Sequence, residues 1–143
     1  TTEIYTLSLH DALPISWIDA ELTKTQNGAN NGNDPVGVPA YFMVLGAEYD
    51  IKPVDGLTAT ARVNRSGSQY VNTSNTRKID GYTTLDLGVR YKMQLNQARN
   101  EMTWRVGVDN VTNENYWASV DDGGTYIYQG EPRTLKVSMS YDF

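Results

Sequence analysis

Apolar and polar residues alternate along several stretches of the chain, most regularly between Thr83 and Met93. One set of alternate positions there is apolar and the other is polar or glycine: Leu85, Leu87, Val89, Tyr91 and Met93 against Thr84, Asp86, Gly88, Arg90 and Lys92. Successive side chains of a β-strand point to opposite faces. A helix would need apolar residues three and four apart, and that spacing is absent. The stretch therefore predicts a strand with one apolar and one polar face.

The same period of two recurs along the rest of the chain. It predicts strands at Trp17 to Thr25, Tyr41 to Ile51, Leu57 to Asn64, Thr83 to Met93 and Met102 to Asp109, and a final strand within Glu131 to Phe143. Asn, Gly, Asp and Pro are frequent in the connections, where they favour turns. We therefore expect an all-β fold, an antiparallel up-and-down meander of about six strands.

The final strand keeps its alternation to the last residue, which is a bare aromatic. Its ending resembles the insertion signal of bacterial outer-membrane β-barrels, in which a terminal Phe follows an aromatic and apolar residues at alternate positions. The resemblance assigns that role to Leu135, Val137, Met139, Tyr141 and Phe143, with lipid on one face and lumen on the other. A half-buried edge strand of a soluble protein is the alternative interpretation.

The lengths of the connections support the membrane interpretation. Long connections (Gln26 to Pro39, Ser66 to Gly81, Asn113 to Gly130) alternate with short ones (Lys52 to Gly56, Asn96 to Asn100). Outer-membrane barrels have short periplasmic turns and long extracellular loops. Tyr49, Tyr91 and Tyr141 would then lie near the periplasmic ends of strands and Tyr41 near an outer end, as in the aromatic girdles of such barrels. The sequence thus predicts an open fragment of a transmembrane β-barrel.

Composition removes several other classes of protein. The mean hydropathy is -0.52, and no apolar run approaches the ~18 residues of a transmembrane helix. A net charge of -5 without a Lys/Arg cluster argues against nucleic acid as a partner. The chain contains no cysteine and so has neither disulfides nor thiolate metal sites.

The first residues look foreign to the protein. Thr1 to Ile15 read as the in-frame translation of a common sequencing-library adapter, and Ser16 is compatible with its last base. We therefore treat 1–16 as a non-native segment and 17–143 as the protein, as is done for a cloning scar. His10, the only histidine, falls in this segment, which leaves no histidine for a catalytic triad or a metal site.

Several short motifs together resemble the C-terminal end of TonB-dependent siderophore receptors. They are Gly37-Val38-Pro39, Glu48-Tyr49-Asp50, Gly67-Ser68-Gln69-Tyr70, Gly81-Tyr82-Thr83, Val108-Asp109-Asn110-Val111, Tyr116-Trp117 and Gly130-Glu131-Pro132-Arg133-Thr134. The resemblance covers roughly Trp17 to Phe143 and implies a plugged barrel of about 22 strands in the bacterial outer membrane. Such a receptor imports a ferric siderophore with energy passed through TonB, and the barrel-assembly machinery inserts it. The plug, the TonB-contacting segment and most strands are expected outside this fragment.

Candidate functional residues are few. The aromatic loop with Tyr116, Trp117, Tyr126 and Tyr128 could stack on a siderophore, although loop packing and interface anchoring are the simpler roles. The inward-facing charges are expected to pair with one another in the lumen. No residue pattern predicts a catalytic site, a cofactor or a metal site, so we do not expect an enzyme. The sequon Asn110-Val111-Thr112 carries no meaning in a bacterial outer membrane.

Two alternative functions stay open at the level of sequence. A soluble β-barrel or sandwich would place the apolar face inward around a small apolar ligand. A passive outer-membrane porin would share the terminal Phe but would need no plug.

Overall fold

The computed structural model describes residues 15–95, 100–121 and 124–143, together with the backbone of 7–8. Nearly all of its regular structure is β. The strands are β1 Leu7–Ser8, β2 Ile15–Trp17, β3 Tyr41–Asp50, β4 Leu57–Ser66, β5 Gln69–Tyr70, β6 Lys78–Ile79, β7 Tyr82–Gln94, β8 Glu101–Asp109, β9 Trp117–Val120, β10 Ile127–Gln129 and β11 Thr134–Asp142, with one 3-10 turn at Gln26–Gly28. No helix in this described part is long and apolar enough to cross a membrane.

Five long strands form the body of the molecule as an antiparallel meander in the order β3, β4, β7, β8, β11. The short strands β1 and β2 both pair with β3. Two further hairpins, β5–β6 and β9–β10, lie in connections that the sequence predicted as loops. The sheet is open, so the predicted all-β meander and open barrel fragment are confirmed.

The register aligns the apolar positions of all five strands on one face. Partnered residues form continuous rows across the sheet, such as Ala47, Ala61, Leu87, Val108 and Leu135, and the next row Tyr49, Ala59, Val89, Val106 and Val137. Positions between these rows carry polar residues and glycines, for example Glu48, Thr60, Gly88, Gly107 and Lys136. Every strand therefore contributes to the same two faces.

The apolar face is exposed and covers no core. Val137 is 60% exposed and Leu87 43%, while Ile79 is the only buried hydrophobic side chain among the described residues. A cavity of about 920 Å³ lies against the sheet and is lined mainly by polar-face residues, including Glu48, Arg90 and Lys136. A soluble barrel would enclose its apolar face. The observed arrangement instead suits an apolar face turned to lipid and a polar face turned to a lumen.

The tyrosines on the apolar face are displaced from the register in steps along the strands. Following the register from Tyr49 leads to Val89, two strands away, and to Val137, four strands away. Tyr91 lies two residues beyond Val89 and Tyr141 four residues beyond Val137. The stagger is one residue per strand. If the three tyrosines lie at one depth, as in the aromatic girdle of a membrane barrel, the strands tilt by about 35° for a rise of ~3.3 Å and a strand spacing of ~4.8 Å. We call the line through the three tyrosines the tyrosine level.

The strand predicted from Trp17 to Thr25 is wrong. β2 ends at Trp17, and the Ile18 N–H makes one further bond to the Ala40 carbonyl at 3.0 Å. Leu22 then turns to the following loop, where its N–H and C=O bond to Asn33 and Gly32 at 2.8 and 2.9 Å. The loop backbone thus satisfies the groups that the sequence pattern assigned to a sheet ladder.

Connections of different length lie at opposite ends of the sheet. The short turn after β3 is closed by the Ile51 N–H to the Leu57 carbonyl at 2.8 Å. Gly56 takes a φ of +79° there, and a Cβ at this position would collide with the Lys92 carbonyl. At the short turn after β7, the Leu95 N–H bonds to the Asn100 carbonyl at 3.1 Å; residues 96–99, part of the predicted turn, lie outside the described residues. All three long connections leave from the other end, as the sequence predicted.

We expect Val106→Arg to destabilise a closed barrel containing these strands by about 2–4 kcal/mol, because a cation would enter the lipid near mid-depth. Ser140→Arg is the matched control, since Ser140 lies on the polar face opposite Thr103. Guanidinium unfolding titrations of both variants in lipid would measure the difference. Equal destabilisation would contradict the assignment of the two faces.

Candidate functional site

Three long connections meet at one end of the sheet, and we name them loop A (18–40), loop B (67–81) and loop C (110–133). Loops A and B are joined by reciprocal hydrogen bonds. The Asp34 N–H donates to Asn75 Oδ1 at 2.7 Å, and Asn75 Nδ2 donates back to the Asp34 carbonyl at 3.0 Å. Asn33 Nδ2 donates to the Thr73 carbonyl at 2.8 Å. These bonds fix the tip of loop A on loop B.

Loop C is held by both other loops. Gln69 Nε2 of loop B donates to the Ala118 carbonyl at 3.3 Å. Gly37 of loop A has a φ of +75°, and a Cβ there would lie 2.7 Å from the Val120 carbonyl oxygen. Gly124, with a φ of +74°, sits against the Val71 carbonyl so closely that no side chain fits. The three loops therefore form one connected unit, the loop platform.

Asn110 anchors loop C to the sheet. It is 3% exposed and has a φ of 51°, a left-handed conformation that asparagine tolerates. Its side-chain Nδ2 donates to the carbonyls of Glu114 and Glu131 at 2.8 and 3.0 Å, and its Oδ1 accepts from the Glu114 N–H at 2.9 Å. One side chain thus joins the beginning and the end of loop C.

The same anchor reaches the polar face of the sheet. The Asn110 N–H donates to Asp86 Oδ1 at 2.9 Å, and Asp86 Oδ2 accepts from Asn64 Nδ2 at 2.9 Å. The sequence places Asn110 in a sequon and in the motif Val108-Asp109-Asn110-Val111, but neither pattern predicts this role. A small polar residue at the end of a strand, able to take a positive φ, was the available signal.

Tyr116 is half-buried between loop C and the start of β7. Its ring stacks on Tyr82 with centroids 4.0 Å apart, and Gly130 lies against it with no space for a Cβ. Burial raises the pKa of the Tyr116 phenol, and the carboxylates of Glu131 and Asp86 raise it further. The phenol therefore stays neutral across the physiological range. In this arrangement the Tyr116 ring packs loop C against Tyr82, unlike the exposed rings of Trp117, Tyr126 and Tyr128.

The other three predicted aromatic residues lie exposed on the β9–β10 hairpin. Trp117, Tyr126 and Tyr128 are 49%, 65% and 55% exposed, and Ile127 between the tyrosines is 41% exposed. The hairpin is closed by the Asp121 N–H to the Tyr126 carbonyl at 3.0 Å and by the Tyr126 N–H to Asp121 Oδ1 at 2.9 Å. The platform therefore presents a small apolar surface at the loop end of the sheet.

The predicted insertion-signal residues share the apolar face of β11. Leu135, Met139 and Phe143 are all more than half exposed, and Phe143 is 99% exposed. The rings of Tyr141 and Phe143 stack at a centroid distance of 6.1 Å. Among the described strands only β8 pairs with β11, so the other edge of β11 is free to accept a strand.

Charges on the polar face pair between strands, and the first of these pairs reaches across β4 from β7 to β3. Arg90 donates through both terminal nitrogens to the Glu48 carboxylate at 3.0 and 2.7 Å. Lys92 pairs with Glu101 at 3.0 Å, and Lys136 with Asp109 at 2.5 Å. The described part of the chain contains no cluster of acidic, histidine or cysteine residues that could hold a metal ion. The described polar face is therefore lined by paired charges.

Comparison with known proteins identifies the architecture. A family model described as "TonB dependent receptor-like, beta-barrel" matches residues 3–111. The chain belongs to this family. Its members are receptors and transporters rather than known enzymes, and they reside in the bacterial outer membrane.

Individual relatives agree with the family. The chain is 59% identical over 128 residues to the ferrichrome receptor FcuA of Yersinia enterocolitica, covering 90% of this chain and 17% of that protein. It is 31% identical over 132 residues to the ferrichrome outer membrane transporter/phage receptor of Escherichia coli, again covering 90% and 17%. The crystal structure of BauA, the ferric preacinetobactin receptor of Acinetobacter baumannii, superposes with a TM-score of 0.78 at 38% identity, covering 90% of this chain and 19% of that one. The chain thus spans less than one fifth of each of these proteins.

We expect Asn110→Ala to destabilise the folded barrel by about 2–4 kcal/mol, because it removes the side-chain donor to the Glu114 and Glu131 carbonyls and the acceptor for the Glu114 N–H, and because it places alanine at a positive φ. Asn113→Ala is the matched control: Asn113 also has a positive φ, but it is exposed and accepts one bond, from the Arg133 N–H at 3.1 Å. Unfolding titrations would compare the free energies of unfolding of the two variants. A cost for Asn113→Ala equal to that for Asn110→Ala would contradict the anchoring role.

Proposed function

We propose that residues 17–143 form the C-terminal strands of an outer-membrane receptor that imports ferric siderophores with energy supplied through TonB. The observation that carries this proposal is the continuous apolar face of five paired strands, opposite a charged polar face. The names of the relatives support the substrate class, since they are receptors for ferrichrome and for ferric preacinetobactin.

Within that receptor we assign ligand contact to the exposed hairpin rings. Trp117, Tyr126 and Tyr128 stand on the loop side of the sheet, where a ligand from outside would arrive, and their rings are free to stack on a bulky chelate. The burial of Tyr116 supports a structural role instead. The hairpin is held in place by the loop platform, which limits the conformational entropy that binding would cost.

The binding assignment is tested in a chimera, a barrel in which residues 17–143 replace the matching segment of FcuA. Replacing both Tyr126 and Tyr128 with Ala should weaken ferrichrome binding about tenfold, as expected for two aromatic contact residues. Thr125→Ala, an exposed non-aromatic neighbour on the same hairpin, should leave binding unchanged. Isothermal titration with ferrichrome gives the affinities. Unchanged binding by the double variant would refute the hairpin assignment but would leave the receptor function standing.

The free edge and terminal rings of β11 suit recognition by the barrel-assembly machinery, followed by pairing with the first barrel strand. We expect Phe143→Ala to lower the amount of folded chimera in the outer membrane severalfold, because the terminal ring lies on the apolar face. Asp142→Ala, one residue away on the polar face, is the control. Heat-modifiable gel mobility measures the folded fraction, and equal yields would remove Phe143 from the signal.

We further propose that residues 1–16 are not native. The adapter-like sequence of Thr1 to Ile15 supports this origin, whereas the family match that starts at residue 3 points the other way. Amplification from genomic DNA across the codon for Trp17 decides between the two. Recovery of the same first 16 residues would overturn the proposal, and an upstream frame encoding a plug domain would also exclude a passive porin.

A further inference from the structure

Three of the four methionines of the chain lie together on the apolar face, near the short turn that follows β7. Met93 on β7 is in register with Met102 on β8. Met139 on β11 is in register with Trp104, two residues from Met102 on the same strand. Directly opposed side chains have Cβ atoms about 4.5–5.5 Å apart, so the thioethers and the indole ring are neighbours. We name Met93, Met102 and Met139 the methionine cluster.

The tyrosine level passes through this cluster. Tyr91 is in register with Trp104, and Tyr141 is in register with Met102. A line from Tyr91 to Tyr141 therefore crosses β8 between Trp104 and Met102. Met102 thus lies just beyond the tyrosine level, on the side of the short turn.

The other methionines lie at different depths. Met93 lies two residues beyond the tyrosine level on the turn side, roughly 7 Å along the strand at ~3.3 Å per residue. Met139 and Met43 lie two and six residues from that level in the opposite direction, toward the loops. With acyl chains over the apolar face, Met93 and Met102 stand at its boundary with water, whereas Met139 and Met43 are covered by lipid.

The two boundary sulfur atoms differ in their hydrogen bonding. Trp104 Nε1–H donates to the Met102 sulfur at 3.1 Å, which occupies a lone pair of a weak acceptor. Among the residues that the structure describes, none donates a hydrogen bond to the Met93 sulfur. A thioether reacts with an oxidant through a sulfur lone pair, so Met93 is the more reactive of the two.

We propose that Met93 and Met102 form a site of oxidation by peroxides at the periplasmic boundary of the barrel, with Met93 reacting first. A sulfur lone pair bonds to one peroxide oxygen while the O–O bond breaks, and the proton on that oxygen moves to the departing hydroxide. The thioether loses two electrons and becomes a sulfoxide, and hydrogen peroxide is reduced to water. The proposal rests on the outer-membrane orientation given under Proposed function.

The position of the pair makes its oxidation compatible with the folded barrel. A sulfoxide is polar and disrupts an apolar surface, and it can be reduced to the thioether again. At Met93 and Met102 the sulfoxide oxygen would reach water at the boundary, whereas at Met139 it would enter hydrocarbon. The boundary pair therefore consumes peroxide beside Trp104 without a polar group entering the lipid.

The test exposes the FcuA chimera, folded in vesicles of phosphatidylethanolamine and phosphatidylglycerol, to hydrogen peroxide. Tryptic peptides carry the four methionines separately, so mass spectrometry follows the gain of one oxygen atom at each. Met93, and after it Met102, should be oxidised about tenfold faster than Met139 and Met43, because acyl chains exclude water and the peroxide dissolved in it. Heat-modifiable mobility should show that the oxidised chimera remains folded.

Two variants test the bond to the Met102 sulfur. Trp104→Phe keeps an aromatic ring but removes the N–H donor, so Met102 should then be oxidised as fast as Met93. Tyr91→Phe is the matched control, because it removes a polar hydrogen from the ring opposite Trp104 and leaves the N–H donor in place. It should leave the rate at Met102 unchanged.

Three results would count against the proposal. Oxidation of Met93 and Met102 no faster than that of Met43, with Met139 equally slow, would overturn the site and leave the membrane orientation standing. Fastest oxidation at Met139, the most exposed of the four at 54%, would show that the apolar face meets water and would overturn the orientation as well. An unchanged rate at Met102 in Trp104→Phe would contradict the order of reaction.

Discussion

Backbone hydrogen bonding is the constraint on which the rest of the molecule depends. Hydrocarbon offers no partner to a peptide N–H or C=O, so each strand in the apolar layer must be paired on both sides. The described sheet meets this requirement for its inner strands β4, β7 and β8, through uninterrupted ladders of eight to ten residue pairs. These ladders fix the register, and the register decides which side chains meet lipid. A slip of one residue would turn the apolar face of a strand toward the lumen.

Where the ladders end, side chains take over the role of the backbone. Asn110 supplies a donor and an acceptor to loop C, and Asn75 does the same for loop A. Glycines at positive φ allow the loops to approach each other's carbonyls without a side chain between them. These hydrogen bonds order the long connections, which lie beyond the end of the apolar face and gain no stability from it. Because these connections are ordered, the exposed rings of the β9–β10 hairpin can form a defined binding surface.

Alternation alone predicted most of the sheet but little of the loop platform. The strands around Leu85, Val106 and Val137 could be predicted because each side chain of a strand faces one of two environments, apolar or polar. The residue type alone indicates which of the two it faces. The bonds of Asn110 and Asn75 were not, since their partners lie up to 41 positions away and belong to the backbone. The error at Trp17 to Thr25 has the same cause: the pattern fitted a strand, but the Leu22 backbone found its partners in the adjacent loop. The role of Tyr116 also required the fold, because its partner Tyr82 belongs to another element.

The stagger between Tyr49, Tyr91 and Tyr141 has a consequence for closure of the cylinder. A displacement of one residue per strand adds up around the circumference, so a barrel of about 22 strands would have a shear of about 22 residues. Shear and strand number together set the radius of the cylinder. A strand that pairs with the free edge of β11 would have to keep the same stagger, because another register would change the shear and break the continuity of the aromatic belt. The stagger of these five strands therefore sets the register expected of every further strand in the ring.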